Sequence, residues 1–297
     1  MPNRSLRQAN RGFTLVEAVM VIMITGIIAA AVAVFIGNPL KSYTDSARRA
    51  RSTDVADVAL RRIARDVRLA LPNSLRVMQF GGINYIEFII TSAGGRYRYA
   101  DTDGSSGGTS LSFSNSLVET FDVVGQMPNN PAIFENDFVV VYNTGPDAGD
   151  LDDPNNAYMP AQPCTGCNRA KVLSVTGNVI QLESNPFGAA SISTGRRPVS
   201  SPDNRFNVVP GGTKAVSFAC PQTVPGNLNR YANYGFNLTQ AVPGGSPALL
   251  ASNVTCAVDY TLTANPRSGL FFISLTLSDS SGEATTLFQQ IHVDNAP

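Results

Sequence analysis

The segment that decides the fold of the first part of the chain is Arg11-Gly12-Phe13-Thr14-Leu15-Val16-Glu17, with the apolar run AVMVIMITGIIAAAVAVFIG that follows it to residue 37. From Phe13 to Gly37 there are 25 residues and a single charge, that of Glu17. As a helix this segment is about 37 Å long, which is enough to cross a hydrocarbon core of roughly 30 Å. It is longer than the apolar region of an ordinary signal peptide, and no small-residue cleavage site follows it, so a Sec-type secreted protein is the poorer interpretation. The segment predicts a transmembrane helix.

The one charge in this segment needs a physical reason. A carboxylate near the start of a helix in lipid costs on the order of 2–3 kcal/mol toward the centre of the span, so Glu17 calls for a partner. A free α-amine would supply one. The alternative is a signal anchor that is never cut, in which the Glu17 side chain extends to the membrane interface.

The run from Arg11 to Glu17 resembles the prepilin-peptidase site of type IV pilins and of the pseudopilins of type II secretion. In that family the cut falls after the glycine, the new phenylalanine amine is N-methylated, and the glutamate is the fifth mature residue. The resemblance implies that Gly12 and Phe13 are the processing residues. It also implies that Glu17 pairs with the Phe13 amine of a neighbouring subunit as a filament grows.

The partners implied by this resemblance are a prepilin peptidase/methyltransferase, other major and minor pilins, and an inner-membrane assembly platform. The implied location is the bacterial inner membrane, as a single-pass precursor with its head in the periplasm. The protein then moves into a pilus filament at the cell surface.

Helical spacing continues beyond the membrane segment. Apolar residues fall at i, i+3, i+4, i+7 and i+11 and form an amphipathic stripe of Leu60, Ile63, Ala64, Val67 and Leu71. Pro72 is expected to end this helix, and Gly37 and Pro39 are expected to weaken it at the membrane boundary. The predicted organisation is a leader at 1–12, a membrane or filament-core helix at 13–37, its amphipathic continuation at 38–72, and a head at 73–297. The alternative is a linker between two unrelated helices.

From about Ser74 the pattern changes to short β-rich runs separated by turn residues. The predicted strands are Tyr85–Thr91, Phe138–Tyr142, Lys171–Val175, Val179–Glu183, Ala215–Ala219, Cys256–Leu262, Leu270–Leu277 and Thr285–Val293. The turn residues at 176–178 and 279–283 predict two hairpins. Residues 143–168 and 184–205 are rich in Pro, Gly, Asn, Asp and Ser, so we expect long exposed insertions there. The predicted fold class is α+β and pilin-like, with a long N-terminal helix packed on a large antiparallel β-rich head.

Three short segments resemble a narrower group, the minor pilin-like proteins of the mannose-sensitive haemagglutinin (MSHA) pilus system. They are Ala70-Leu71-Pro72-Asn73-Ser74, Phe218-Ala219-Cys220-Pro221, and the closing Ile291-His292-Val293-Asp294-Asn295-Ala296-Pro297. The J-type minor pseudopilin of type II secretion shares the same plan and is the second candidate. Either resemblance implies a filament-tip or assembly-priming subunit rather than a major pilin.

All four cysteines follow the membrane segment, where an oxidising compartment makes disulfides the expected state. Three pairings are possible, and we favour Cys220 with Cys256, which flank predicted strands, and Cys164 with Cys167, which are local. The Cys164-Thr165-Gly166-Cys167 run also fits a redox motif or half of a zinc site. Zinc would need Cys220 and Cys256 as its other thiolates, and these are not closely spaced.

No cofactor is required by any motif, and calcium is the one candidate. Asp147, Asp150, Asp152 and Asp153 crowd a Gly/Pro-rich loop and supply the oxygen ligands that calcium prefers. A second acidic run, Asp101-Thr102-Asp103-Gly104, opens a Gly/Ser-rich loop. Neither matches the twelve-residue EF-hand pattern, and acidic runs in loops are more often simply solvated.

The composition argues against two classes of function. Basic and acidic residues balance at 22 each, so no overall field attracts nucleic acid. There is a single histidine, His292, and no G-x-S-x-G or H-E-x-x-H motif accompanies it. We therefore predict that the chain is not an enzyme and has no nucleic-acid partner. A membrane-anchored adhesin, whose loops bind a surface ligand, is the remaining alternative.

Overall fold

A computed structural model describes residues 12–99, 108–145, 153–159, 164–191, 195–262, 268–279 and 282–296. The chain divides into two compact units, Met1–Arg51 and Ser52–Pro297. The first unit holds the apolar part of one helix. The second holds the last turns of that helix and all the β-strands, so it contains the cores discussed below.

Helix α1 runs from Leu15 to Arg68 without interruption. It continues through Gly37 and Pro39, so the weakening expected at these residues does not break it. It ends at Arg68, four residues before Pro72. The amides of Leu69 and Ala70 make tighter i to i−3 bonds to Asp66 and Val67, and the Leu71 amide then donates to the Ile89 carbonyl at 2.7 Å. The chain thus leaves the helix shortly before Pro72 and pairs there with the sheet.

The predicted amphipathic stripe is confirmed within the second unit. Leu60, Ile63, Ala64 and Val67 are all buried, together with Ala56 and Ala59, and they pack on one face of a sheet. Asp66 lies at the edge of this contact and accepts a hydrogen bond from the Arg230 side chain at 2.8 Å. This ion pair joins the helix to the sheet.

The head contains thirteen described strands and a short 3₁₀ turn at Pro186–Gly188. The strands are β1 Arg76–Phe80, β2 Ile83–Ile89, β3 Ala93–Tyr97, β4 Thr120–Val124, β5 Phe138–Val140, β6 Arg169–Thr176, β7 Val179–Leu182, β8 Arg205–Val209, β9 Ala215–Pro221, β10 Gly226–Ala232, β11 Ala248–Leu262, β12 Ser268–Ser278 and β13 Ala284–Asp294. All the pairings between them are antiparallel. An apolar N-terminal helix and a large antiparallel β-rich head are thus both present, as the sequence predicted.

The strands form two separate sheets. Seven of them make an open sheet in the order β1-β2-β9-β10-β11-β12-β13, and this is the sheet that helix α1 covers. The other six close into a barrel in the order β3-β4-β7-β6-β5-β8. The barrel is inserted between β2 and β9 and has its own apolar core, which includes Phe121, Phe187 and Phe206.

The middle of the head differs from the prediction of long exposed insertions at 143–168 and 184–205. In the described parts of these segments Asn156, Tyr158 and Phe187 are fully buried. The prediction of exposure from polar composition was wrong, because side-chain amides here form hydrogen bonds with buried backbone groups. Asn185, for example, donates to the carbonyls of Ser112, Asn115 and Val118 at 2.9–3.1 Å.

A third apolar cluster joins the barrel to the open sheet. It combines Leu71, which follows the helix, and Ile89, at the end of β2, with Phe138, Tyr158 and Phe236. The Phe138 and Phe236 rings meet edge to face with their centroids 5.3 Å apart. The barrel and the sheet are therefore packed together.

Candidate functional site

The start of helix α1 carries the processing and assembly residues predicted from the sequence. Thr14 precedes the helix, and its hydroxyl oxygen accepts a hydrogen bond from the Glu17 amide at 3.3 Å. A threonine followed three residues later by glutamate is the capping-box pattern, which satisfies amides that the first turn leaves unpaired. Gly12 and Phe13 lie immediately before this cap in irregular structure, and both are exposed. The predicted cleavage position is thus the residue pair that precedes a well-defined helix start.

Glu17 lies in the first turn of α1 and is exposed. A negative charge at this end of a helix is stabilised by the unpaired amides and the helix dipole. The capping bond uses the Glu17 backbone amide rather than its carboxylate. The carboxylate is therefore left to act on a partner, and pairing with a neighbour's amine remains a prediction.

Beyond Glu17 the helix is apolar and uncovered. Leu15–Phe35 has a mean hydropathy of 2.7, and none of it is buried. It is the one helix in the described part of the chain that is long and apolar enough to cross a membrane. Exposed apolar surface of this extent is stable only when lipid or another protein covers it. A membrane-anchored precursor satisfies this requirement.

The four cysteines form the two disulfides that the sequence favoured, Cys164–Cys167 and Cys220–Cys256. None of the four is a free thiol, so none remains as a zinc ligand or a reduced redox pair. Cys256 lies two residues beyond Val254, where the pairing of β11 with β10 ends. At this point β11 approaches β9 directly, and the Cys220–Cys256 bond joins the two strands.

The two disulfides are expected to contribute unequally to stability. Loop-closure entropy predicts about 4 kcal/mol for Cys220–Cys256, whose separation is 36 residues, and about 2 kcal/mol for Cys164–Cys167, whose separation is 3. Urea unfolding of Cys220→Ser/Cys256→Ser and of Cys164→Ser/Cys167→Ser, in detergent without reductant, measures both losses. Equal losses would contradict the prediction, and so would a non-reducing peptide map that links Cys164 to Cys220 or Cys256.

The calcium prediction falls mostly outside the described residues, because Asp147, Asp150 and Asp152 all lie there, as does the run from Asp101 to Gly104. Asp153 is described, and its carboxylate is engaged within its own loop. It accepts hydrogen bonds from the Thr144 hydroxyl at 3.0 Å and from the Asn155 amide at 2.9 Å. Within the described residues, no three acidic, histidine or cysteine side chains come together as a metal site.

Two cations in the head, one half-buried and one fully buried, were missed by the sequence reasoning. Arg76 on β1 faces Glu87 on β2 across the sheet, and its guanidinium donates to the carboxylate at 2.7 Å. The same guanidinium lies 3.7 Å from the centroid of the Tyr158 ring. Burial raises the pKa of Glu87, and Arg76 opposes that rise. The alternation of polar and apolar residues along β2 could not have shown that Glu87 is buried, because nearly all of this strand is buried on both faces.

Arg169 is the second of these cations and is fully buried. It is 1% exposed, and no carboxylate in the described part of the chain pairs with it. Its guanidinium donates to the carbonyls of Ala157 and Met159 and lies 3.8 Å from the centroid of the Phe236 ring. Burial lowers the pKa of Arg169 to about 9. Backbone carbonyls and an aromatic face hold this charge between the barrel and the sheet, so its role is structural.

Comparison with known proteins gives a match at the start of helix α1. Residues 7–33 match the family model described as the prokaryotic N-terminal methylation motif. No curated protein and no solved structure matches the chain. The motif confirms the resemblance of the N-terminus to type IV pilins and pseudopilins, and it implies processing by a prepilin peptidase and assembly with pilin-type partners. The chain is thus type IV pilin-like or pseudopilin-like at its N-terminus.

Proposed function

We propose that the chain is a minor pilin or pilus-assembly subunit of an MSHA-type type IV pilus. In this proposal prepilin peptidase cuts after Gly12, and the mature chain enters the filament through its N-terminal helix. The observation that carries the proposal is the capped helix start within the methylation motif, with Glu17 as the only charge in the uncovered apolar segment Leu15–Phe35. The chain acts by assembly rather than by catalysis.

The proposal implies a sequence of steps from the membrane precursor to the filament. The uncut precursor sits in the inner membrane through Leu15–Phe35, with the β-rich head in the periplasm. Cleavage frees the Phe13 amine, which is then methylated. The apolar helix moves from lipid into the helix bundle of the filament, where its exposed surface is again covered. Glu17 pairs there with the terminal amine of a neighbouring subunit.

The second candidate is a J-type minor pseudopilin of type II secretion, because the methylation motif at residues 7–33 is common to both systems. The two candidates differ in the proteins that surround the subunit. An MSHA-type minor pilin is found with MSHA pilins in sheared surface filaments. A pseudopilin stays with the secretion apparatus in the envelope.

The test is to shear filaments from cells and identify by mass spectrometry the proteins that copurify with this chain. The matched control is Gly12→Val, which should leave the precursor uncut and absent from filaments. A side chain at residue 12 meets no atom of the chain within 4 Å, so the substitution acts on the peptidase and not on the fold. Detection of the chain only with secretion proteins would favour the pseudopilin. A Gly12→Val chain that is cut and incorporated normally would contradict the proposal.

A further inference from the structure

A polar pocket of about 340 Å³ lies beside the barrel, between strands β3 and β8 and the end of β13. Its polar side chains are those of Arg96, Arg205, Asn207 and Asp294. Among the described residues, none of those in the N-terminal helix lines it, so the pocket is separate from the assembly residues. Its volume lies in the range of sites that bind small molecules.

Two arginines lie side by side in this pocket. Arg96 on β3 is directly opposite Arg205 on β8, so both side chains leave the same face of the barrel wall. Like charges in this arrangement destabilise a sheet. Arg205 lies 3.4 Å from Asp203, but both side chains are more than half exposed, so this ion pair compensates little. Arg96 forms no ion pair with any residue that the structure describes. A pair that costs stability in the free protein is typical of a functional site, and here an anion would relieve the repulsion.

The neighbouring row of the same face leaves room beside the arginines. Gly94 is directly opposite Asn207 and contributes no side chain, so the Asn207 amide lines the pocket. The φ angle of Gly94 is not positive, so its backbone conformation does not itself require glycine. A Cβ at this position would lie 3.6 Å from Asn207 Oδ1 and 3.1 Å from the Phe206 carbonyl oxygen. A larger side chain at residue 94 would therefore occupy the pocket beside Asn207.

Asp294 brings one carboxylate to the pocket from the end of β13. One of its oxygens accepts a hydrogen bond from the Ala296 amide at 3.0 Å. Within the described part of the chain, no ion pair joins Asp294 to Arg96 or to Arg205. The carboxylate can therefore accept a hydrogen bond from a ligand hydroxyl. Its charge also disfavours ligands that carry more than one negative charge.

We propose that this pocket binds a sugar acid, that is, a saccharide unit that carries one carboxylate. The guanidiniums of Arg96 and Arg205 bind the ligand carboxylate through charge-assisted hydrogen bonds. The Asn207 amide and the Asp294 carboxylate bind ring hydroxyls, for which an amide and a carboxylate are suitable partners. Two positive charges and one negative charge in the pocket match a ligand with a single negative charge. This binding goes beyond the proposed function and does not depend on it.

The test measures binding to the purified full-length chain in detergent by titration calorimetry. The chain carries a tag after residue 297, so that no terminal carboxylate competes for the arginines. The probes are methyl glucuronide, methyl glucoside, acetate and inorganic phosphate. We expect saturable binding of methyl glucuronide that weakens as salt is added. The glucoside, which lacks the carboxylate, and acetate, which lacks the hydroxyls, should each bind at least roughly tenfold more weakly.

The first variant, Arg96→Gln, tests the charge. It should weaken glucuronide binding roughly tenfold or more, because it removes a charged donor. It also removes the repulsion between the two arginines, so its melting temperature should equal or exceed that of the parent. Arg62→Gln is the matched control, because Arg62 is an exposed arginine on the helix that does not line the pocket. This control should bind like the parent.

A second variant, Gly94→Leu, fills the pocket without changing its charge, and it should abolish binding. The proposal would be overturned if the parent did not bind the glucuronide, or if it bound phosphate or acetate as tightly. Equal losses in Arg96→Gln and Arg62→Gln would also overturn it, as would a lower melting temperature of Arg96→Gln. Each of these results would leave the proposed function in pilus assembly unaffected, because none of them concerns processing or incorporation.

Discussion

Replacement of Glu17 by leucine should leave the protein in the membrane and processed, yet remove it from filaments. The substitution takes one charge from the span, so insertion should be unharmed or improved by roughly 2–3 kcal/mol. The helix cap is kept, because Thr14 bonds the backbone amide of residue 17 and not its side chain. In the filament a neighbour's Phe13 amine would be left unpaired among apolar helices, at a cost of about 3–5 kcal/mol.

The measurement compares membrane level, Gly12 processing and the amount of the chain in sheared filaments, in cells that lack the native copy. Thr25→Leu is the matched control, because it also makes Leu15–Phe35 more apolar but leaves Glu17 in place. It should be inserted, cut and incorporated like the parent. If Glu17→Leu is incorporated as well as Thr25→Leu, the carboxylate is not an assembly contact.

Replacement of Arg76 by methionine should destabilise the head by about 3–5 kcal/mol, because it leaves the buried Glu87 charge without its partner. The Glu87 side chain is 1% exposed, and Arg76 is the cation that pairs with it. Methionine keeps much of the arginine's apolar bulk over the Tyr158 ring, so the loss of stability comes mainly from the missing positive charge. The melting temperature should fall by roughly 10 °C, as measured by circular dichroism of the full-length chain in detergent.

The double variant Arg76→Met/Glu87→Gln is the control for this effect. It removes the stranded charge and should recover a large part of the lost stability. A single variant that melts like the parent, or a double variant no more stable than the single one, would contradict the assigned role of the pair.

The same variant should show a distinctive pH dependence. Burial raises the pKa of Glu87 above its ordinary value, and Arg76 partly opposes this. Without Arg76 the folded-state pKa rises further, so the folded state binds the proton more tightly than the unfolded chain does. The contribution of Glu87 to the stability of Arg76→Met is therefore most favourable at low pH and becomes unfavourable as the pH rises through the folded-state pKa. The deficit relative to the parent should be smaller near about pH 5 than near about pH 8.

The parts of the protein that could be predicted from the sequence are those with a local pattern. The membrane segment follows from a long apolar run with one charge, and the buried stripe from Leu60 to Val67 follows from helical spacing. The cysteine pairs follow from the positions of predicted strands and from the short spacing of Cys164 and Cys167. In each case the signal lies within a few turns of helix or a few strands.

The barrel could not be predicted in this way, because its closure depends on distant pairings. β3 pairs with β8 from Ala93 opposite Val208 to Arg96 opposite Arg205, more than a hundred residues apart. β3 also contains Gly94 and Gly95, which have low strand propensity. An added Cβ at Gly95 would lie 2.7 Å from the Phe206 ring, so close packing requires this glycine. No strand was therefore predicted where the fold has β3.

The functional and charged residues also differ in whether a local pattern in the sequence reveals them. Gly12, Phe13 and Glu17 were found because a contiguous motif carries them. Arg169 was missed because its partners come from distant segments, such as the Phe236 ring that its guanidinium contacts. Arg76 and Glu87 lie on neighbouring strands, but the pair is covered by distant residues such as Tyr158. Charged residues are rarely buried, so no sequence rule would place these three inside the head.

The central claim is that the chain is cut after Gly12 and assembled through the helix that begins there. It is tested most directly by the mass of the N-terminal peptide of this chain, recovered from sheared filaments. The account predicts a peptide that begins with N-methylated Phe13. A peptide that retains residues before Phe13, or a chain that is found only uncut in the membrane, would contradict it.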